Sequence, residues 1–218
     1  FVPRRGVRVR GELLSYEAFE RRLVDAVDAL LAEPSAAAAV CGALVDPELP
    51  AALQKLSAEA SHDGTLLREP RPYLHPEFPS ARTATPLLRR LEASRARDRR
   101  EWFGPVGFLI PCEDAAQALR LACEDARTFG SIANYVYTSD AEFLARVQDE
   151  FAAAGASVGI NLIHQLPINF TAAFSDFHVT GLNPAGNACL TDLAFVANRF
   201  RIVQSKLELP PEATPPPR

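Results

Sequence analysis

The sequence predicts an α/β fold, a mainly parallel sheet with flanking helices built from successive βαβ units. Three observations carry that expectation. Short apolar runs rich in β-formers recur at 106–111, 132–137 and 157–163. Two amphipathic stretches of helical length separate them, and a parallel strand pair needs a crossover of about that length. Finally, 218 residues that are 48% hydrophobic and 23% charged can bury one substantial core, so one domain over residues 1–206 is expected.

From the N-terminus, Phe1 to Arg10 alternates loosely and is expected to hold a short strand, with Gly6 and Gly11 as turn points. Ser15 opens a stretch in which Phe19, Leu23, Val27, Leu30 and Leu31 recur at three- and four-residue spacing, the stripe of an amphipathic helix that Pro34 should end. Glu48 to Ala60 repeats the pattern with Leu49, Leu53 and Leu56, and Asp63-Gly64 supplies the exit turn. Between Arg68 and Ser80, Pro70, Pro72, Pro76 and Pro79 forbid helix and interrupt a ladder, which predicts an extended surface loop. Thr83 to Leu91 is weakly regular, and the charge-rich stretch Arg89 to Arg100 reads as a solvated face.

The second half is more rhythmic. Val106 to Pro111 reads as a strand, Asp114 to Ala126 as a helix and Ile132 to Tyr137 as a second strand. Ser139 and Glu142 have the spacing of a capping box, opening a helix with Phe143, Leu144, Val147 and Phe151 on one face and Gly155 at its stop. Ser157 to Ile163 is the third strand. Polar and turn-forming residues come after Gln165, among them Asn183-Pro184-Ala185-Gly186, before an extended segment at Phe200 to Ser205. Leu207 to Arg218, with five prolines, is expected to be a disordered tail.

A formal net charge of -4 argues against nucleic acid or an anionic membrane as partner, because both are bound largely through Lys and Arg. The cysteines Cys41, Cys112, Cys123 and Cys189 lie far apart, with no C-x-x-C pair, which fits a reducing, cytoplasmic setting. No secretory leader or apolar run of membrane-spanning length is present in the sequence. The chain opens on Phe1-Val2-Pro3 and has no methionine, so the start of translation is expected to lie upstream.

Glycine-rich nucleotide loops, H-E-x-x-H and zinc spacing among His62, His75, His164 and His178 are absent, so no metal is expected. Ser175, Asp176 and His178 have the residue types of a hydrolytic triad, but near neighbours on one segment cannot face one another as nucleophile, base and orienter. The cysteines read as small buried hydrophobes; Cys112 sits before Glu113 and Asp114, which would raise its pKa. What remains is Glu101-Trp102-Phe103-Gly104-Pro105-Val106, at the entry to the first strand of the βαβ series. An acid and two aromatics there could hold a planar ligand, with the carboxylate accepting from a sugar diol; equally, Gly-Pro is an ordinary strand-entry turn and the aromatics beside it ordinary core.

That hexapeptide is similar to the Glu-x-Phe-Gly-Pro-Val motif of the aldehyde dehydrogenases. Phe108-Leu109-Ile110-Pro111, the helix with Ala118 and Ala122, Ala133 to Thr138 and Val158-Gly159-Ile160-Asn161 resemble the family's next two βαβ units in order and spacing. Phe1-Val2-Pro3 and the helix from Tyr16 resemble the segment after the family's reactive cysteine. Ala172 to Gly181, and Asn198 to Ser205, look most like the phenylacetate-degradation branch, where commoner members carry a Gly-Gly and Lys pattern. The resemblance implies an aldehyde substrate, NAD or NADP as cofactor, Glu101 accepting from the nicotinamide-ribose hydroxyls and Phe103 packing near the nicotinamide. It implies a structural role for Asn161 at a strand end. Phe200 to Ser205 matches the strand that joins subunits, implying a homo-oligomer. The catalytic cysteine, glutamate base and nucleotide fold would precede Phe1, so these residues alone should be inactive. The alternative is a non-catalytic assembly module that pairs with intact subunits through Phe200 to Ser205.

Overall fold

The computed structural model describes residues 1–92, 94, 102, 104–131, 134–156, 158–161 and 203–205. They divide into two compact units, Phe1–Ala118 and Leu119–Arg218.

The first unit opens with β1 (Val2–Pro3) and the antiparallel hairpin β2 (Val7–Val9) and β3 (Glu12–Leu14). Arg10 at φ 52° and Gly11 at φ 85° form its two-residue loop. Two left-handed residues give the loop a twist that matches the flanking strands. Gly6, at φ 94°, is needed twice over, since a Cβ there would stand 2.0 Å from the Leu14 carbonyl oxygen. Both glycines are the turn points expected.

Helix α1 (Tyr16–Leu30) starts where Ser15 accepts a hydrogen bond from the Ala18 amide at 3.2 Å. It ends at Leu31, before Pro34 is reached, and Pro34 instead opens α2 (Pro34–Cys41). A proline in the first turn has no amide to leave unpaired and a φ already set for helix, so the residue expected to stop one helix starts the next. Helix α3 (Leu49–Asp63) and its exit at Gly64 are as expected.

Next in the chain is a three-stranded sheet, β4 (Thr65–Arg68) antiparallel to β5 (Leu87–Arg90), which runs parallel to β6 (Val106–Leu109). Its two faces carry separate apolar clusters. Leu87 packs with Leu53 and Leu56 of α3, whereas Leu109 packs with Tyr16 of α1 and, around them, Phe19 and Leu23. Beyond the sheet, β7 (Pro111–Cys112) pairs in parallel with β1.

The proline-rich loop is extended, as expected, and it is fastened by threonines. Thr85 Oγ1 accepts from the Arg71 amide at 3.0 Å, Thr83 Oγ1 accepts from the Tyr73 amide at 2.9 Å, and the Thr85 amide donates to Arg71 O at 2.8 Å. Hydroxyls thus take over where prolines deny the loop a regular ladder.

The solvated face expected at Arg89 to Arg100 fails at its start. Arg89 and Leu91 are buried, because Leu87–Arg90 is the central strand of the sheet and alternate side chains point under α3. Arg90, on the opposite face, pairs with Glu20 of α1 at 3.1 Å. A strand carrying two arginines hides its period from a hydrophobicity reading.

Helix α4 (Ala115–Phe129) is capped by Asp114, whose Oδ1 accepts from the Gln117 amide at 2.7 Å; the helix continues into the second unit. There β8 (Asn134–Val136), α5 (Ala141–Ala154) and β9 (Val158–Ile160) form a βαβ unit with parallel strands. Val147 and Phe151 of α5 pack on Val158 and Ile160 of β9 and on Leu119, Cys123 and Ala126 of α4. β10 (Val203–Ser205) adds to the other side of β9, also parallel.

The α/β class with parallel strands and flanking helices is as expected, and two details within it differ. Of the successive βαβ units only β8-α5-β9 shares a sheet; β6 and β8, which flank α4, belong to different sheets among the described residues. The cap of α5 is Asp140, not Ser139. Asp140 Oδ1 accepts from the Phe143 amide at 2.9 Å, a carboxylate being at least as good a cap as a hydroxyl. Gly155, at φ 67°, ends that helix as expected.

Candidate functional site

The hexapeptide 101–106 leads into β6. Glu101 and Phe103 lie outside the described residues; Trp102, Gly104, Pro105 and Val106 can be described. Trp102 packs against the Leu44, Leu53 and Leu87 cluster, and its ring lies 6.3 Å from that of Phe108 at a 58° tilt, a favourable arrangement for two aromatic quadrupoles. Gly104 lies beneath Leu49 at the start of α3, where a Cβ would stand 2.9 Å from the leucine Cδ1. Its requirement is close approach. The Leu87 amide donates to Pro105 O at 2.8 Å, so the proline carbonyl starts the β5-β6 ladder that Val106 and Leu87 continue. The strand-entry reading of the motif is observed: Trp102 packs on the α3 cluster and the Gly-Pro step is fixed on both sides, while the ligand reading rests on Glu101 and Phe103, outside the described residues.

Arg89 was missed by sequence reasoning. It is the register partner of Phe108, 2% exposed, and its Nε and Nη2 have no hydrogen-bond partner among the described residues. A signal was available in the doublet Arg89-Arg90 within an otherwise apolar run, since alternation sends one of two adjacent side chains inward.

The cysteines behave as the sequence suggested. Cys41 and Cys123 form no disulfide among the described residues, and Cys112 is buried with its Sγ 3.5 Å from Ile110 O. Burial pushes the Cys41 thiol up, against thiolate formation, and Cys123 is pushed up by burial and by the Glu150 carboxylate. Cys189, Ser175, Asp176 and His178 lie outside the described residues. Among the described residues no three His, Cys, Asp or Glu side chains form a metal-binding group, and no helix is long and apolar enough to cross a membrane.

In the second unit Asn161 is the latch expected at a strand end. Its Oδ1 accepts from the Thr138 amide at 2.9 Å, its Nδ2 donates to Thr138 O at 2.7 Å, and its own amide donates to Val136 O at 2.9 Å. These bonds join the ends of β8 and β9 and hold Asn161 at φ 53°, a left-handed conformation that asparagine tolerates better than other side chains.

Residues 12–186 match the aldehyde dehydrogenase family. The chain is similar to the crystal structure of an NAD-dependent aldehyde dehydrogenase from Burkholderia multivorans, with 36% identity and a TM-score of 0.73. The match covers 97% of this chain and 37% of that one. No match was found among curated proteins.

Proposed function

The chain belongs to the aldehyde dehydrogenase family, and from that premise we propose that it is the part after the reactive cysteine in an enzyme that oxidises an aldehyde to a carboxylic acid with NAD or NADP. The observation that carries the proposal is the Glu101 to Val106 motif at the entry of β6, within a family match that spans residues 12–186. When bound, the nicotinamide cofactor takes up the hydride; this is chemistry that no side chain supplies.

The described residues fit that role. Trp102 anchors one side of the motif in the α3 cluster and Gly104 anchors the other beneath Leu49, so positions 101 and 103 adjoin fixed points. The carboxylate of Glu101 would accept hydrogen bonds from ribose hydroxyls, and Phe103 would offer an apolar surface to the nicotinamide ring. By the family likeness, nucleophilic attack on the aldehyde belongs to a cysteine before Phe1, and Cys41, whose thiolate burial disfavours, and the buried Cys112 are poor candidates for it. The 218 residues alone are then inactive.

The finer reading places the enzyme in phenylacetate or related aromatic catabolism, in the cytoplasm, as a homo-oligomer. Likeness at Ala172 to Gly181 and at Asn198 to Ser205 supports the branch. For assembly the support is that β10 is an edge strand of its sheet among the described residues, and an edge strand can accept another chain.

The test is Glu101→Ala in the full-length protein, assayed as aldehyde-dependent reduction of NAD and of NADP. The Michaelis constant for the cofactor should rise while the unfolding midpoint stays within error. An unchanged cofactor constant removes Glu101 from the role, and absence of turnover with any aldehyde in the unsubstituted protein removes the activity.

A further inference from the structure

We propose that Arg89 is a carboxylate-binding residue, gripping one carboxylate through the edge of its guanidinium formed by Nε and Nη2, on the α3 face of the β4-β5-β6 sheet. The reading of Glu101 and Phe103 makes no use of this site.

Arg89 is 2% exposed, and a guanidinium stays protonated at any pH the fold survives. An uncompensated charge in that position is among the costliest features a core can hold. The residues level with it across the sheet, Leu66 on β4 and Phe108 on β6, have no acceptor side chains. Nε and Nη2 are the two nitrogens without a partner among the described residues. By the covalent structure of the side chain they share one edge, the pair of parallel N–H bonds that matches the two oxygens of a single carboxylate.

The same sheet shows how this protein treats a buried arginine that serves only structure. Arg68 on β4 is 7% exposed, and its Nε and Nη1 have partners: Nε donates to Asp28 Oδ1 at 2.8 Å, and Nη1 to Thr85 Oγ1 at 2.8 Å and Pro86 O at 2.7 Å. Arg90, next in sequence to Arg89, holds Glu20 and Thr65. Three arginines thus lie on two paired strands, and the most deeply buried one keeps an open fork. The other unpartnered buried group among the described residues, the Tyr16 hydroxyl, is neutral and costs far less to leave. What distinguishes Arg89 is a full charge and a two-donor edge, unpartnered among the described residues, on a side chain 2% exposed, a combination that one carboxylate matches in both charge and geometry.

That carboxylate has two possible sources, an Asp or Glu of the polypeptide outside the described residues, or a small carboxylate ligand. Crystals of the full-length protein grown without and with sodium acetate distinguish them. A side-chain carboxylate with both oxygens within hydrogen-bond distance of Nε and Nη2 in both crystals identifies the polypeptide source. Acetate in that position only when added identifies the ligand source. Solution NMR excludes binding at crystal concentration only: the Arg89 Nε–H resonance, identified by its loss in Arg89→Lys, should lose its protection from solvent exchange as the pH falls through the carboxylate range, or shift saturably with acetate but not with chloride. A backbone carbonyl or a water on the fork, or an Nε–H that responds to neither acid nor acetate, overturns the proposal. Because the readout is the bond itself, failure of the Glu101 assignment leaves this test intact.

Discussion

Arg68 in β4 donates through Nε to Oδ1 of Asp28 in α1 at 2.8 Å, fastening the sheet to the helix on that face. The pair is asymmetric: the arginine side chain is 5% exposed and the aspartate 45%. Arg68→Leu removes this bond and also leaves the Thr85 hydroxyl and Pro86 carbonyl without their donor, which should cost about 2–3 kcal/mol. Asp28→Asn keeps an oxygen acceptor and changes only a half-exposed charge, so about 1 kcal/mol is expected. Urea unfolding of both variants checks the ranking. An Asp28→Asn loss as large as that of Arg68→Leu contradicts it.

Asn161→Ala should cost about 2–3 kcal/mol, since it deletes both bonds to Thr138 and puts an alanine at φ 53°. Asn161→Gly relieves the backbone part alone and should lie about 1 kcal/mol above the alanine variant. Equal stabilities for the two variants, measured by denaturant titration, would show that the backbone conformation carries no cost.

Gly6 and Gly11 both have positive φ but differ in their surroundings. Gly6→Ala drives a Cβ to 2.0 Å from the Leu14 carbonyl and should cost at least about 2 kcal/mol, whereas Gly11 faces open space and Gly11→Ala should cost about 1 kcal/mol. Thermal melts of the two variants separate steric from conformational cost, and a smaller loss at Gly6 would refute the close contact.

Burial, reinforced by the Glu20 carboxylate, pushes the Tyr16 hydroxyl up to about 12 from 10.0. The folded state then holds this proton more tightly than the unfolded state does. Ionisation of this group therefore lowers stability, by an amount on the order of 2–3 kcal/mol, as the pH rises from 10 toward 12, and has no effect below pH 10. Tyr16→Phe should therefore flatten the alkaline fall in stability. At pH 7 it should be neutral or slightly stabilising, because the hydroxyl it removes has no partner among the described residues. Stability against pH from 8 to 11.5 for both proteins decides the matter, and parallel curves would count against the burial argument.

Much of the local structure was legible because it rests on neighbours in sequence. Apolar spacing located α1, α3, α4 and α5, and the glycines Gly6, Gly11 and Gly155 marked turns through their own backbone freedom. The motif at 101–106 was legible as a strand entry for the same reason. Pro34 misled because the residue that ends a helix and the residue that starts one can be the same proline. Ser139 misled because the better cap, Asp140, stood one position later.

The sequence by itself determined the α/β class, four of the helices and the family, since periodicity, turn residues and a contiguous motif are all written within a few residues of each other. Tertiary structure alone decided which strands share a sheet, which face of β5 lies under α3, and that Arg68 has its partners while the edge of Arg89 formed by Nε and Nη2 has none among the described residues. Those outcomes depend on pairing between residues tens of positions apart, such as Arg68 with Asp28 or Arg90 with Glu20, and on the burial that the pairing creates. A charge in the sequence has no sign of depth until the sheet closes over it.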